Sequence, residues 1–133
     1  MNQPKGMVGI RHVALFVKEL EVAVDFYTQV MGMRIEWQPD ADNVYLTNDG
    51  DVYALHRVDY TPSADQRLDH IGFVLDSLEA VDDWYDYFVK QGVRITEKPK
   101  THRDGARGFY CLDAVGHLLE LIYHPPIAKT LQR

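Results

Sequence analysis

Two histidines and one glutamate stand out by their type and their setting. His12 opens the apolar run Val13-Ala14-Leu15-Phe16-Val17, and His70 opens Ile71-Gly72-Phe73-Val74-Leu75. Glu120 lies inside Leu118-Leu119-Glu120-Leu121-Ile122, where an ionised carboxylate costs several kcal/mol unless it is paired or bound to metal. Two neutral imidazoles and one carboxylate form a donor set that holds a divalent metal and leaves coordination positions open for other molecules. Taken singly, each residue has a plainer reading: a strand histidine is usually hydrogen-bonded in a core, and a glutamate on a terminal strand usually faces solvent. The joint reading is specific because all three sit in a duplicated frame.

The duplication runs through most of the chain. Arg11-His12-Val13-Ala14-Leu15-Phe16-Val17, then Leu20-Glu21 and Asp25-Phe26-Tyr27, returns as Asp69-His70-Ile71-Gly72-Phe73-Val74-Leu75, Leu78-Glu79 and Asp83-Trp84-Tyr85. Both copies pass through a glycine, Gly32 or Gly92, into Met33-Arg34-Ile35 and Val93-Arg94-Ile95. A repeat of this kind is one supersecondary unit used twice.

Hydrophobic spacing then predicts the elements that carry these residues. Val13 to Val17 and Ile71 to Leu75 are short β-branched runs of strand length, and 20–31 and 78–91 place apolar residues at helical spacing. Gly32 and Gly92 fall where a helix ends in the left-handed conformation. Further strands are expected at about 34–38, 44–47 and 52–58, and at about 94–98, 108–112 and 118–123, with turns at Asn48-Asp49-Gly50 and Asp113 to Gly116. The order is β-α-β-β-β, twice, with a polar linker at about 59–67.

Alternation along the strands puts His12, Ala14 and Phe16 on one face and His70, Gly72 and Val74 on the equivalent face. Matching Gly50 with Gly116 sets Val52, Ala54 and His56 against Leu118, Glu120 and Ile122. If the two halves curve and face each other, His12, His70 and Glu120 converge, with His56 on the ligand face as a polar neighbour.

Composition limits what such a site is for. The 133 residues, 46% hydrophobic and 26% charged, are ordinary for one globular domain spanning 1–133, and too few for separate cofactor and substrate domains. A formal charge of −6 argues against nucleic acid and anionic lipid as partners. The single Cys111 has no partner for an internal disulfide, Met1 to Gly9 lacks the apolar core of a signal peptide, and no apolar run has membrane-spanning length. A cytoplasmic protein without nucleic-acid or membrane partners is the expectation.

With these residues in place, the chain resembles the vicinal oxygen chelate superfamily, the glyoxalase, bleomycin-resistance and dioxygenase group, over about residues 8–124. The resemblance rests on both strand-one histidines, on Asp25-Phe26-Tyr27, and on Phe109-Tyr110-Cys111-Leu112-Asp113 leading to Gly116-His117-Leu118-Leu119-Glu120. It implies an α+β fold of two tandem βαβββ modules, about 8–58 and 68–124, forming an eight-stranded incomplete barrel around a metal site. By the same resemblance His12, His70 and Glu120 are the metal ligands. The substrate would be a small molecule, and the chain would pair as a homodimer, with modules joined within one chain or exchanged between two.

The branches of the superfamily differ at the remaining positions. Glyoxalase-like isomerases and epimerases carry a Glu or Gln where this chain has Ala54, which neither binds metal nor moves a proton. Extradiol ring-cleaving dioxygenases use only His, His and Glu on Fe(II), and their additional His and Tyr resemble His102 and Tyr110 here. That implies an Fe(II) enzyme with Tyr110, His102 and His56 as catalytic residues, Mn(II), Zn(II) or Ni(II) being the other metals considered. A fosfomycin-resistance thiol transferase or glutathione-dependent lyase is the alternative, with Lys100 near a substrate lysine. However, Ala14 and Asp104-Gly105-Ala106-Arg107-Gly108 depart from the transferase pattern. A non-catalytic binding protein of the bleomycin-sequestering kind is the third reading; its groove would use Trp37, Tyr45 and Tyr53, which at this spacing read first as sheet-packing residues. The stretch Lys98, Lys100, His102, Arg103 and Arg107 reads as a solvated loop or, closed over the metal, as a sign of an anionic substrate.

Overall fold

A computed structural model describes residues 10–63 and 68–131. The chain divides into two compact units, Met1–Ser63 and Ala64–Arg133. In the first unit β1 (His12–Val17), α1 (Leu20–Asp25), β2 (Arg34–Asp40), β3 (Asn43–Thr47) and β4 (Val52–Arg57) follow in order. The second repeats the series as β5 (Ile71–Val74), α2 (Leu78–Lys90), β6 (Arg94–Thr101), β7 (Arg107–Leu112) and β8 (Leu118–Tyr123). The sheets run β1-β4-β3-β2 and β5-β8-β7-β6. In each, the first strand lies parallel to the last and the other pairs are antiparallel. The class is α+β with βαβββ twice, as expected, and the strands form two open four-stranded sheets rather than one closed barrel.

Each sheet has one face against its helix and one face without a helix. On β1 and β4 the odd-numbered Leu15, Val17, Tyr53 and Leu55 are buried, and the Tyr53 and Tyr27 rings meet at 4.7 Å with their hydroxyls 2.7 Å apart. Tyr53 is therefore a core residue, not part of a groove. In the second unit Ile71, Phe109, Cys111, Leu119 and Leu121 are buried with Val81 and Phe88 of α2. Phe109 meets Tyr85 and Phe88 edge-on at 5.5 and 5.9 Å. Each such side chain, once buried, contributes roughly 1.5–3 kcal/mol. The opposite faces carry the even-numbered residues, among them all three proposed metal ligands.

The two helices end differently from one another. In α2 the Ser77 hydroxyl accepts from the Ala80 N–H at 3.1 Å, and the helix closes at Gly92 with φ +75°. The predicted helix 20–31 is α-helical only to Asp25; Phe26–Val30 is a π-helical turn, closed by Met31 N–H donating to the Phe26 carbonyl. The Thr28 hydroxyl donates to the Val24 carbonyl at 2.7 Å within this turn. The strands β2 and β6 extend past the expected ends, to Asp40 and Thr101, through register shifts that keep them paired. A third helix, α3 (Pro125–Leu131), was not expected from periodicity; two prolines occupy its first turn, where a missing N–H costs nothing. Residues 64–67 of the expected linker lie outside the described residues. Among the described residues no helix is long and apolar enough to cross a membrane.

Candidate functional site

Strand register defines the site in the second unit. Glu120 on β8 is paired with Gly72 on β5 and with Tyr110 on β7. Parity turns all three to the face away from α2. Glu120 is only 8% exposed. Gly108 on β7 makes room for its carboxylate: a Cβ there would meet the Leu121 carbonyl oxygen at 2.9 Å and Glu120 Oε2 at 3.3 Å. The Leu121 carbonyl is too close for a side chain at this position, and the carboxylate would have to give by a few tenths of an ångström.

His70 stands immediately before β5, half-buried. Its Nδ1 is 2.6 Å from Asp69 Oδ2, and its Nε2 is 3.3 Å from Glu120 Oε1. The Asp69 carboxylate can only accept, so it holds the hydrogen on Nδ1 and leaves the Nε2 lone pair aimed at an anionic oxygen. Only a proton or a cation between the two makes that arrangement favourable. Two donors about 2.1 Å from one metal and at a right angle lie about 3.0 Å apart. The donor set and its spacing therefore fit a divalent metal.

The Tyr110 ring meets His70 edge-on at 5.3 Å. Its hydroxyl is pushed up to about 12, first by burial and then by its hydrogen bond to Glu120. Tyr110 therefore keeps its proton across the whole neutral range, next to the Glu120 carboxylate.

His12, the third expected ligand, belongs to the first unit, exposed at the start of β1 opposite Val52. It lines an open cleft of ≈560 Å³ together with Arg11, Arg34, Glu36, Asp49 and Asp51. Arg11 stands where the second unit has Asp69, so His12 lacks the preceding carboxylate that orients His70. Among the described residues no three His, Cys, Asp or Glu side chains are grouped in the manner of a metal cage.

The first unit repeats the frame with different chemistry. The row Ala14, Ala54 and Tyr45 corresponds to Gly72, Glu120 and Tyr110. Ala54 occupies the position of Glu120, and Tyr45 that of Tyr110. His56 lies on the same face as Ala54, half-buried, with Nδ1 2.6 Å from Asn43 Oδ1. His102 sits exposed in the turn after β6, where its backbone bonds Ala106 and Gly105. Its side chain makes no hydrogen bond or ion pair with a described residue. Of the basic stretch, Arg107 is tied to Asp82 of α2 at 2.7 Å, while Lys98, Lys100 and Arg103 are exposed.

Asp69 and Asn43 were not singled out from sequence, and Gly108 was read only within the Asp104 to Gly108 stretch and at the start of the strand that is β7. Asp69 had a visible signal, adjacency to His70 in a repeat whose other copy reads Arg11. Gly108 and Asn43 had none, because their roles depend on which strand lies beside them.

The model of the Glyoxalase/Bleomycin resistance protein/Dioxygenase superfamily matches residues 9–121, and the chain belongs to that superfamily. A lactoylglutathione lyase from Agrobacterium tumefaciens superposes with a TM-score of 0.74 at 19% identity, covering 90% of this chain and 96% of that one. An integron cassette protein from the mobile metagenome of the Halifax Harbour sewage outfall gives 0.76 at 22% identity, covering 89% and 100%. A possible glyoxalase from Bacillus cereus gives 0.70 at 24%, covering 87% and 99%. At these identities the likeness is one of fold. No curated protein matches the chain in sequence.

Proposed function

We propose that the protein is a metal-dependent enzyme of extradiol ring-cleaving type, acting on a small molecule through two adjacent oxygens, with His12, His70 and Glu120 as the metal ligands. The observation that carries the reading is His70 Nε2 facing the buried Glu120 carboxylate at 3.3 Å while Asp69 holds Nδ1. When bound, the metal, Fe(II) by preference over Mn(II), Zn(II) or Ni(II), supplies a Lewis acid with open positions for oxygen donors. Ala54 at the position equivalent to Glu120 favours ring cleavage over isomerisation, because a two-carboxylate proton shuttle has no second carboxylate there.

The chain's own residues do the rest. Glu120 brings one negative charge to a divalent metal, so the site balances a singly deprotonated diol better than a neutral one. Tyr110 donates a hydrogen bond at the carboxylate and steadies its orientation. His56 accepts a substrate proton, and His102, with Lys100 and Arg103, attracts an anionic substrate from the turn after β6. The chain acts as a homodimer.

Metal analysis of protein purified without added metal tests the reading. About one divalent ion per chain is expected in the wild type, with loss of tight binding in Glu120→Ala. A Glu120→Ala protein that kept full occupancy would remove the proposed ligand set. Oxygen uptake by the Fe(II)-loaded protein with a panel of catechols then tests the reaction. No uptake, with glutathione-dependent turnover of a 2-oxoaldehyde or of fosfomycin instead, would assign the lyase or transferase chemistry.

A further inference from the structure

The β2–β3 hairpin holds a chain of side chains that ends on His56. Asp40 and Asn43 face each other across the hairpin, and Asn43 is in turn the cross-strand partner of His56 on β4. The Asn43 Nδ2 group donates to Asp40 Oδ1 at 2.9 Å and lies 3.1 Å from Oδ2. Asp40 Oδ1 also accepts from the Asp42 N–H at 2.8 Å, which anchors the carboxylate to the turn. A carboxylate only accepts, so the amide must present its NH₂ to Asp40 and its carbonyl to His56. The Asn43 carbonyl, 2.6 Å from His56 Nδ1, in turn only accepts. The hydrogen of neutral His56 must therefore sit on Nδ1, and Nε2 carries the lone pair.

The surroundings of that lone pair define what it meets. Trp37 stacks on Tyr45 with ring centroids 5.1 Å apart, and Tyr45 meets His56 edge-on at 5.8 Å. Phe16 is the partner of His56 on β1. Cross-strand pairing and parity put all four on the face away from α1, and Trp37 and Phe16 are each 58% exposed. An open face with two exposed aromatic side chains and a hydrogen-bond acceptor suits a planar aromatic molecule that carries a hydroxyl.

We infer that Asp40 and Asn43 are positioning residues that fix the His56 tautomer, so that Nε2 accepts the proton of an aryl hydroxyl lying against Trp37 and Tyr45. In that step the O–H bond breaks, its proton moves to Nε2, and the electron pair stays on the aryl oxygen. The imidazolium keeps its Nδ1–H on Asn43, whose amide is held by the Asp40 carboxylate. The nature of the ligand rests on the ring-cleaving reading; the tautomer does not.

Nitrogen-15 NMR of the imidazole rings tests both parts. Wild-type His56 is expected as the Nδ1–H tautomer. Asn43→Val should move the tautomer ratio about tenfold towards Nε2–H, the size of one hydrogen bond, whereas Asp40→Asn, which keeps an acceptor for the Asn43 NH₂ and so its carbonyl towards Nδ1, should preserve it. Phenol should perturb the Nε2 resonance, and anisole, which has the ring but no donor hydrogen, should shift only the Trp37 indole signal. An Nε2–H tautomer in the wild type, no change in Asn43→Val, or equal effects of phenol and anisole on Nε2 would overturn the inference. Failure of ring cleavage would appear separately, as no oxygen uptake with the wild-type tautomer intact.

Discussion

His70 and Glu120 show how a buried charge is made tolerable at the scale of single residues. The carboxylate is 8% exposed, with the protonated Tyr110 as its cross-strand partner and His70 Nε2 3.3 Å away. Replacing one partner of such a group leaves the others poorly satisfied, so conservative changes are the informative ones. Tyr110→Phe removes one hydroxyl and keeps the ring against His70. It should leave metal content and folding nearly unchanged and lower turnover by about 10²-fold or less, the scale of one positioned donor. Equal turnover in the two proteins, measured with the same metal loading, would reduce Tyr110 to a packing residue.

At the scale of elements, the site depends on how closely β7 and β8 approach. Gly108 lies under the Glu120 carboxylate, with the Leu121 carbonyl 2.9 Å from where a Cβ would stand. That carbonyl belongs to the backbone of the neighbouring strand and has little freedom to withdraw. Gly108→Ala should therefore destabilise the fold by about 1–3 kcal/mol, the usual cost of overpacking, and weaken metal binding more than Gly116→Ala, whose cost is backbone strain at φ +97° in the β7–β8 turn with nothing near the added Cβ. Urea unfolding read beside metal titration of both variants checks this. Similar metal affinity in the two would mean that Glu120 does not depend on the close approach.

For the whole molecule, the open sheet edges set the expectation. The two sheets have β1, β2, β5 and β6 at their edges. Strand edges of this kind are normally covered. Sedimentation equilibrium at micromolar concentration should give twice the monomer mass. A monomer across that range would end the dimer proposal.

The sequence by itself determined the duplicated β-α-β-β-β order, the strand parity that puts His12, His70, His56 and Glu120 on faces away from the helices, and membership of the superfamily. These depend on local periodicity and on a repeated pattern, both of which are written along the chain. Even so, local pattern placed a regular helix where Phe26–Val30 forms a π turn, because over a single turn hydrophobic spacing does not separate the two hydrogen-bond ladders. The same pattern read Tyr53 first as a sheet-packing residue, which its burial against Tyr27 bears out. Only the tertiary structure decided that Asn43 faces His56, that Gly108 lies under Glu120, and that Asp69 turns His70 Nε2 towards the carboxylate. Those relations join residues on neighbouring strands or fix a side-chain orientation, and both depend on register and packing rather than on spacing along the chain.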